Sequence, residues 1–312
     1  MVHTNWQHCL LLLPLLRRQR DIYWAHEIPP LSRRYGYVFR AIGARVGRVV
    51  CVSQAVAERM LSLGMPTSRV VVVRSGIPPA EETGPVGGGE RLQLGIVGQI
   101  GEWKGHGDLI DALGLLQRDG IRPSLLIFGS GAAEYVASLE ERAAELGVQQ
   151  QIEWCGYVTD KSRIFGAIDV CIVPSRCDEA LGMSAIEAGG FGCPVICSSR
   201  GGLAASVLNG ETGLVIEPER PEQLANAIKV FRTKPRPCQD DGSRRADPCS
   251  HRVFEYNGLG TSLFRSWRSS AWTTVYHTRP NTLVDLTAKL GRSRVWTTKR
   301  RASVLCLLIP PL

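Results

Sequence analysis

Short apolar runs alternate along this chain with longer stretches in which apolar residues recur every three or four positions. Runs of Val, Ile, Leu and Cys bounded by turn residues read as buried strands, and the longer period reads as helices laid over them. The alternation predicts a parallel α/β sheet. In the first part, residues 20–25 and 46–52 read as strands flanking a helix over 34–45. Ser53 suits an N-cap, because its hydroxyl can accept from a free N–H of the helix over 54–63, which stops at Gly64 and Pro66. A further strand covers 70–73. The stretch 79–90 is rich in Gly and Pro without an apolar period and reads as a linker between domains.

The second part is cleaner. Strands are expected at 92–97, 124–128, 152–155, 169–174, 194–197 and 213–216, and helices at 108–116, 134–146 and 221–231, with a helix or turn over 161–167. Another helix starts near Gly182 and carries Glu187 in its second turn. About 140 residues in this order suffice for one core with helices on both faces of a sheet. The expected domains are 1–78, a partial N-terminal domain, and 91–231, a complete one.

The apolar run 9–16 is short of the roughly 18–20 residues that span a bilayer. It contains Pro14 and is followed by Arg17, Arg18 and Arg20 where a signal peptide would place small residues, so it reads as an amphipathic or buried helix. The net charge of +8 suggests nucleic acid only until it is divided. From Arg232 onward lie 15 of the 37 basic and 5 of the 29 acidic residues, leaving 22 and 24 for the rest. The basic character therefore belongs to a tail over 232–312, which mixes Pro, Arg, Ser, Thr and Trp without a period. Disorder and a shifted reading frame are two readings of that tail; Trp267, Trp272 and Trp296 argue against the first. A nucleic-acid role through the tail would give steeply salt-dependent binding lost on deleting 232–312; no nucleic-acid partner is expected of the body. The ten cysteines show no Cys-x-x-Cys or paired Cys/His spacing, and those in apolar runs (Cys51, Cys155, Cys171, Cys197) read as small buried hydrophobes in a reducing cytoplasm.

The chemistry concentrates at 179–187, Glu-Ala-Leu-Gly-Met-Ser-Ala-Ile-Glu, a loop after a buried strand followed by a helix start. Free N–H groups at such a start hold an anion. The spacing suits a sugar nucleotide, with Glu179 near a sugar, Gly182, Met183 and Ser184 at a phosphate and Glu187 near a ribose diol; a solvated Glu187 on an amphipathic helix is the competing reading. Lys104 follows a strand and a Gly-rich turn, which places an ammonium for phosphate. No Asp-x-Asp occurs, so no metal site and no cofactor is expected. Trp103 and Tyr157 read as packing residues.

Several stretches together resemble glycosyltransferase family 4, the group 1 glycosyltransferases of two-Rossmann GT-B architecture. They are 95–105 (Gly-Ile-Val-Gly-Gln-Ile-Gly-Glu-Trp-Lys-Gly), 127–131, 154–157, the paired glutamates of 179–187, Gly201-Gly202 and 209–214. The resemblance extends back through 49–78 and loosely to 2–5, and the tail does not resemble the family's closing helices. It implies a fragment with an intact donor half, lacking the first strands and the acceptor loop. It further implies a retaining, metal-independent transfer of a sugar from a nucleotide-sugar donor to a glycan or lipid-linked acceptor, in polysaccharide or glycolipid assembly. The implied site is Glu179, Lys104 and His26 for catalysis, with Gly98, Gln99, Lys104, Gly182, Met183, Ser184 and Glu187 for the donor. Gln99 stands where the family usually has Arg, which keeps hydrogen-bond donors and loses a charge. The expected location is the cytoplasm, with peripheral contact at the inner membrane face left open. Two other readings are a non-catalytic donor-binding remnant and a GT-B nucleotide-sugar epimerase; the latter needs further acid/base residues facing the sugar.

Overall fold

Two parallel sheets organise the chain in a computed structural model that describes residues 1–17, 20–77 and 91–233 and the short segments 275–276 and 305–306. The first sheet runs in chain order: β1 (Val2–His3), β2 (Ile22–Ala25), β3 (Arg48–Cys51) and β4 (Val70–Val72). It is linked through α1 (Trp6–Leu11), α2 (Arg33–Arg45) and α3 (Gln54–Ser62). A parallel sheet that grows in one direction places its crossover helices on one face. Accordingly Tyr23, Ala25, Val49 and Cys51 are buried with Phe39, Ile42, Val56 and Met60 in one cluster, while the alternate residues Ile22, Trp24 and Val50 are half-buried. Ser53 caps α3 as its position suggests, accepting from the Val56 N–H at 3.2 Å.

The run 9–16 differs from expectation. The helix begins earlier, because the Asn5 side chain accepts from the N–H groups of Gln7 and His8, and it ends at Leu11; a 3-10 turn, Leu13–Leu15, follows. Pro14 has no N–H to continue the α-helix. Cys9 and Leu16 are buried, whereas Leu11 and Leu15 are exposed, so the segment is amphipathic and not buried.

The second sheet has six strands: β5 (Gln93–Val97), β6 (Ser124–Phe128), β7 (Ile152–Gly156), β8 (Val170–Val173), β9 (Val195–Ser198) and β10 (Gly213–Ile216). Their order is β10-β9-β8-β5-β6-β7, all parallel. The helices α4 (His106–Arg118), α5 (Ala133–Glu145) and α8 (Pro221–Thr233) share a core with Leu94, Ile96, Leu125, Ile127, Ile172 and Ile196. The opposite face packs Cys171, Val173, Val195 and Cys197 against α6 (Lys161–Gly166) and α7 (Met183–Gly190). Strands covered on both sides need continuous apolar runs, which is why β8 reads Val-Cys-Ile-Val with every residue buried.

Residues Met1–Arg244 form one unit and Arg245–Leu312 another; within the second, Val275–Tyr276 (β11) pairs antiparallel with Leu305–Cys306 (β12). The expected linker over 79–90 and the rest of the expected tail beyond Thr233 lie outside the described residues. The helix expected from Asp108 starts two residues earlier, at His106, because Gly105 takes a left-handed conformation (φ 74°) and caps it. A Cβ on Gly105 would collide with the Pro174 carbonyl oxygen, whereas one on Gly107, inside the helix, meets only Leu139 at 3.9 Å. Gly105→Ala should therefore cost about 2–4 kcal/mol of stability through strain and overlap. Gly107→Ala should be neutral or stabilising by up to about 1 kcal/mol. Urea unfolding of the two variants checks this contrast.

Candidate functional site

The order of the second sheet reverses beside β5. From β5 the chain winds outward through β6 and β7, then returns to β8 on the other side. Loops leaving the carboxyl ends of β5 and β8 therefore diverge and leave a crevice. A cleft of about 240 Å³ lies there. Its lining brings together His26, Gly98, Gln99, Lys104, Glu179, Gly182, Met183 and Ser184 from separate parts of the sequence. Glu187 is not among the lining residues.

The loop after β5 is held by backbone bonds to the loop after β6: Gly98 N–H donates to Phe128 C=O at 2.9 Å, and Ile100 N–H to Ser130 C=O at 2.8 Å. A 3-10 turn, Glu102–Lys104, ends at Gly105 and sends Lys104 across the cleft mouth. Its Nζ donates to Glu179 Oε1 at 2.5 Å, and Ser175 Oγ donates to the same oxygen at 2.7 Å. An ammonium has three donors, so this pair leaves Lys104 capacity for an anion. Gln99 is exposed at the rim.

The loop carrying Glu179 is fixed from behind. Ser198 Oγ donates to Ser175 C=O at 2.6 Å, and Arg176 grips the buried Asp108 with two bonds of 2.9 and 2.7 Å. Gly202 N–H donates to Glu179 C=O at 2.6 Å. Gly201 is left-handed (φ 57°), and a Cβ there would strike the Glu179 backbone, so the Gly-Gly pair is a seat for this loop as well as a turn. From the same loop, Leu181 is buried within the core of the first sheet, and Arg59 of α3 reaches Asp178 at 3.1 Å. His26, Val52 and Ser75 of the first sheet's loops thereby form one wall of the cleft.

The helix α7 starts at the left-handed Gly182. Ala185 and Ile186 N–H groups turn back to Gly182 C=O, and the N–H groups of Met183 and Ser184 have no partner within the helix. Ser184 Oγ donates to Val97 C=O at 2.8 Å and pins this start to the end of β5. One turn on, Glu187 is half-buried and paired with Lys161 of α6 at 2.8 Å, a partner invisible in the sequence spacing.

His26 is exposed on the cleft wall and stacks on Trp24 with ring centroids 5.3 Å apart. Partial desolvation lowers its pKa, opposed by Glu27. Two aromatic residues correct the expectation of packing. Tyr157 is 78% exposed just beyond the end of β7, and Trp103 is 44% exposed, its ring resting only partly over Gly101. Cys51, Cys171 and Cys197 are buried as expected, and Cys155 is half-buried.

Sequence reasoning missed His106. It opens α4, lines the cleft and is 2% exposed. The signal was its place directly after Lys104-Gly105, where a left-handed glycine turns the next side chain inward. Burial, opposed by a hydrogen bond to the Gly101 backbone and aided by a smaller push from Lys104, lowers its pKa from 6.5 to about 4. Between those values the unfolded chain takes up a proton that the folded chain refuses, so stability falls as pH drops through this window. His106→Gln should remove up to about 3 kcal/mol of that loss. The check is urea unfolding of both proteins at pH 7 and pH 4.5; equal losses would contradict it.

Residues 87–244, half of the chain, match the family described as Glycosyl transferases group 1, and residues 1–81 match Glycosyltransferase Family 4. A D-inositol 3-phosphate glycosyltransferase of Jonesia denitrificans is 32% identical over 183 residues, 52% of this chain and 43% of that protein. A glycogen synthase of Mycobacterium tuberculosis is 27% identical over 227 residues, 69% of this chain and 52% of that protein. The chain thus spans about half the length of these relatives. Among solved structures, Anabaena HepE in complex with UDP aligns with a TM-score of 0.67 at 21% identity, over 73% of this chain and 67% of that one. Sucrose-phosphate synthase from Thermosynechococcus elongatus aligns with a TM-score of 0.61 at 23% identity, over 74% and 63%. Likeness at these identities establishes the fold, a GT-B arrangement of Rossmann-like sheets.

Proposed function

Because the chain belongs to the group 1 glycosyl transferases, we propose that its cleft binds a nucleotide-sugar donor and transfers the sugar to a glycan or lipid-linked acceptor. The observation that carries this reading is the convergence of Lys104, the free amides of α7 and Glu179 on one cleft at the β5/β8 crevice. HepE, similar in fold, was solved with UDP and with UDP-glucose, which supports a nucleoside diphosphate as the leaving group here. The domain around the second sheet, 91–231, is the donor side, and 1–78 the acceptor side.

Breaking the sugar–phosphate bond builds charge on the diphosphate. Fixed donors aimed at that charge lower the barrier. Lys104 and the N–H groups of Met183 and Ser184 take this role, with Gly98 and Gln99 lining the phosphate approach and no divalent ion required. Glu179, oriented by Lys104 and Ser175, contacts the sugar. Glu187, one turn further along α7, accepts from the ribose hydroxyls in exchange for part of its bond to Lys161. His26 contacts the reacting sugar from the opposite wall. The acceptor hydroxyl attacks on the face the nucleotide leaves, so configuration is retained. The setting is cytoplasmic, with peripheral contact at the inner membrane face. Among the described residues no helix is long and apolar enough to cross a membrane. A second reading is donor binding without turnover.

Calorimetry of the full chain with UDP, GDP and ADP tests the donor site. One of the three should bind, and Lys104→Ala should weaken it about tenfold or more, the worth of a charged hydrogen bond. Glu187→Ala should weaken it less. No binding by any of the three would refute the proposal. A radiolabelled-sugar assay then separates enzyme from binder: Glu179→Gln should lower transfer far more than it lowers diphosphate affinity.

A further inference from the structure

His106 is a buried polar side chain of the cleft to which the donor reading assigns no task. It is 2% exposed, it lines the cleft, and among the described residues neither Nδ1 nor Nε2 makes a well-formed hydrogen bond, the Gly101 backbone being near enough to draw the ring N–H. Buried polar atoms without partners are rare, because desolvating them is costly. One inside a cleft is completed by whatever fills the cleft. The backbone that carries the ring is also held in place. It opens α4, whose start is locked against the exit of β8 by the contact between Gly105 and the Pro174 carbonyl. A buried ring on a fixed backbone can select among ligands.

The chemistry of the two nitrogens narrows the choice. A neutral imidazole offers one N–H and one lone pair whichever tautomer it adopts. With the N–H drawn to the Gly101 carbonyl, the lone pair that remains needs a donor, and phosphate oxygens only accept. A sugar hydroxyl both donates and accepts. We propose that His106 contacts the transferred sugar of the donor, the ring nitrogen not turned to Gly101 accepting from a sugar hydroxyl, and so helps select the sugar. This rests on the donor reading above. It divides the cleft's labour: Lys104 and the α7 amides hold the diphosphate, and His106 and Glu179 hold the sugar.

The test is calorimetry of the full chain with matched pairs: UDP and UDP-glucose, GDP and GDP-mannose, ADP and ADP-glucose. For the pair that binds, His106→Ala should weaken the sugar nucleotide about tenfold, the worth of one neutral hydrogen bond, and change the bare diphosphate less than twofold. His106→Gln keeps one donor and one acceptor and should recover part of the loss. Equal weakening of both members, or no change in either, would overturn the proposal while leaving diphosphate binding, and so the donor reading, standing. Failure of all three pairs to bind the unmutated chain would sink the donor reading first and this assignment with it. Should His106→Ala melt below the assay temperature, nitrogen-15 NMR of the unmutated chain decides. The chain has six histidines. The His106 ring signals, identified by their loss in His106→Gln, should shift on adding the sugar nucleotide and not the bare diphosphate. The same shift with both would overturn the proposal.

Discussion

The adjacency of β5 and β8 is the constraint from which the cleft follows. The two strands pair directly, Leu94 with Val170 and Gly95 with Cys171, although 76 residues separate them in sequence. Parallel strands end their carboxyl termini at one edge, and the reversal of strand order parts the loops that leave there. Lys104 and Glu179 meet at 2.5 Å because each hangs from one of these two loops. Neither residue could be placed by its own local structure. The pairing in turn depends on strands buried on both faces, so the apolar runs in the sequence and the charged pair in the cleft express the same architecture.

A second set of contacts gives the cleft its other wall. Leu181 leaves the loop of Glu179 and enters the core around α2 and α3, a burial worth roughly 1.5–3 kcal/mol. The neighbouring Arg59–Asp178 pair is partly exposed and contributes much less, roughly 0–1 kcal/mol. Packing therefore holds the two sheets together at this point, and the ion pair sets orientation. The loop that presents Glu179 on one side buries Leu181 on the other, two residues away. Movement of one sheet relative to the other would be felt directly at the cleft.

Much of this was legible in the chain. The alternation of apolar runs predicted both sheets, Ser53 marked the start of α3, and the spacing from Glu179 to Glu187 marked a loop and a helix start. The rest depended on partners far away in sequence. Lys161 lies 26 residues before Glu187, and no spacing rule links it to that glutamate. His106 goes unremarked in the sequence, and only Gly105, pressed against Pro174, shows that the side chain after it turns inward. Tyr157 and Trp103 read as packing because large aromatics usually bury area, yet among the described residues no element covers the end of β7. The early helix was misplaced because the Asn5 cap lies outside the apolar run that drew attention to it.

The central claim is that the β5/β8 cleft is where a nucleoside diphosphate sits. Hydrogen–deuterium exchange of the full chain with and without UDP-glucose at saturating concentration measures this directly. The account predicts slowed exchange in two separate stretches, 98–106 and 179–187, with Met183 and Ser184 among the most affected amides. Slowed exchange confined to the basic residues beyond Arg232, or none in either stretch when ligand is bound, would contradict it.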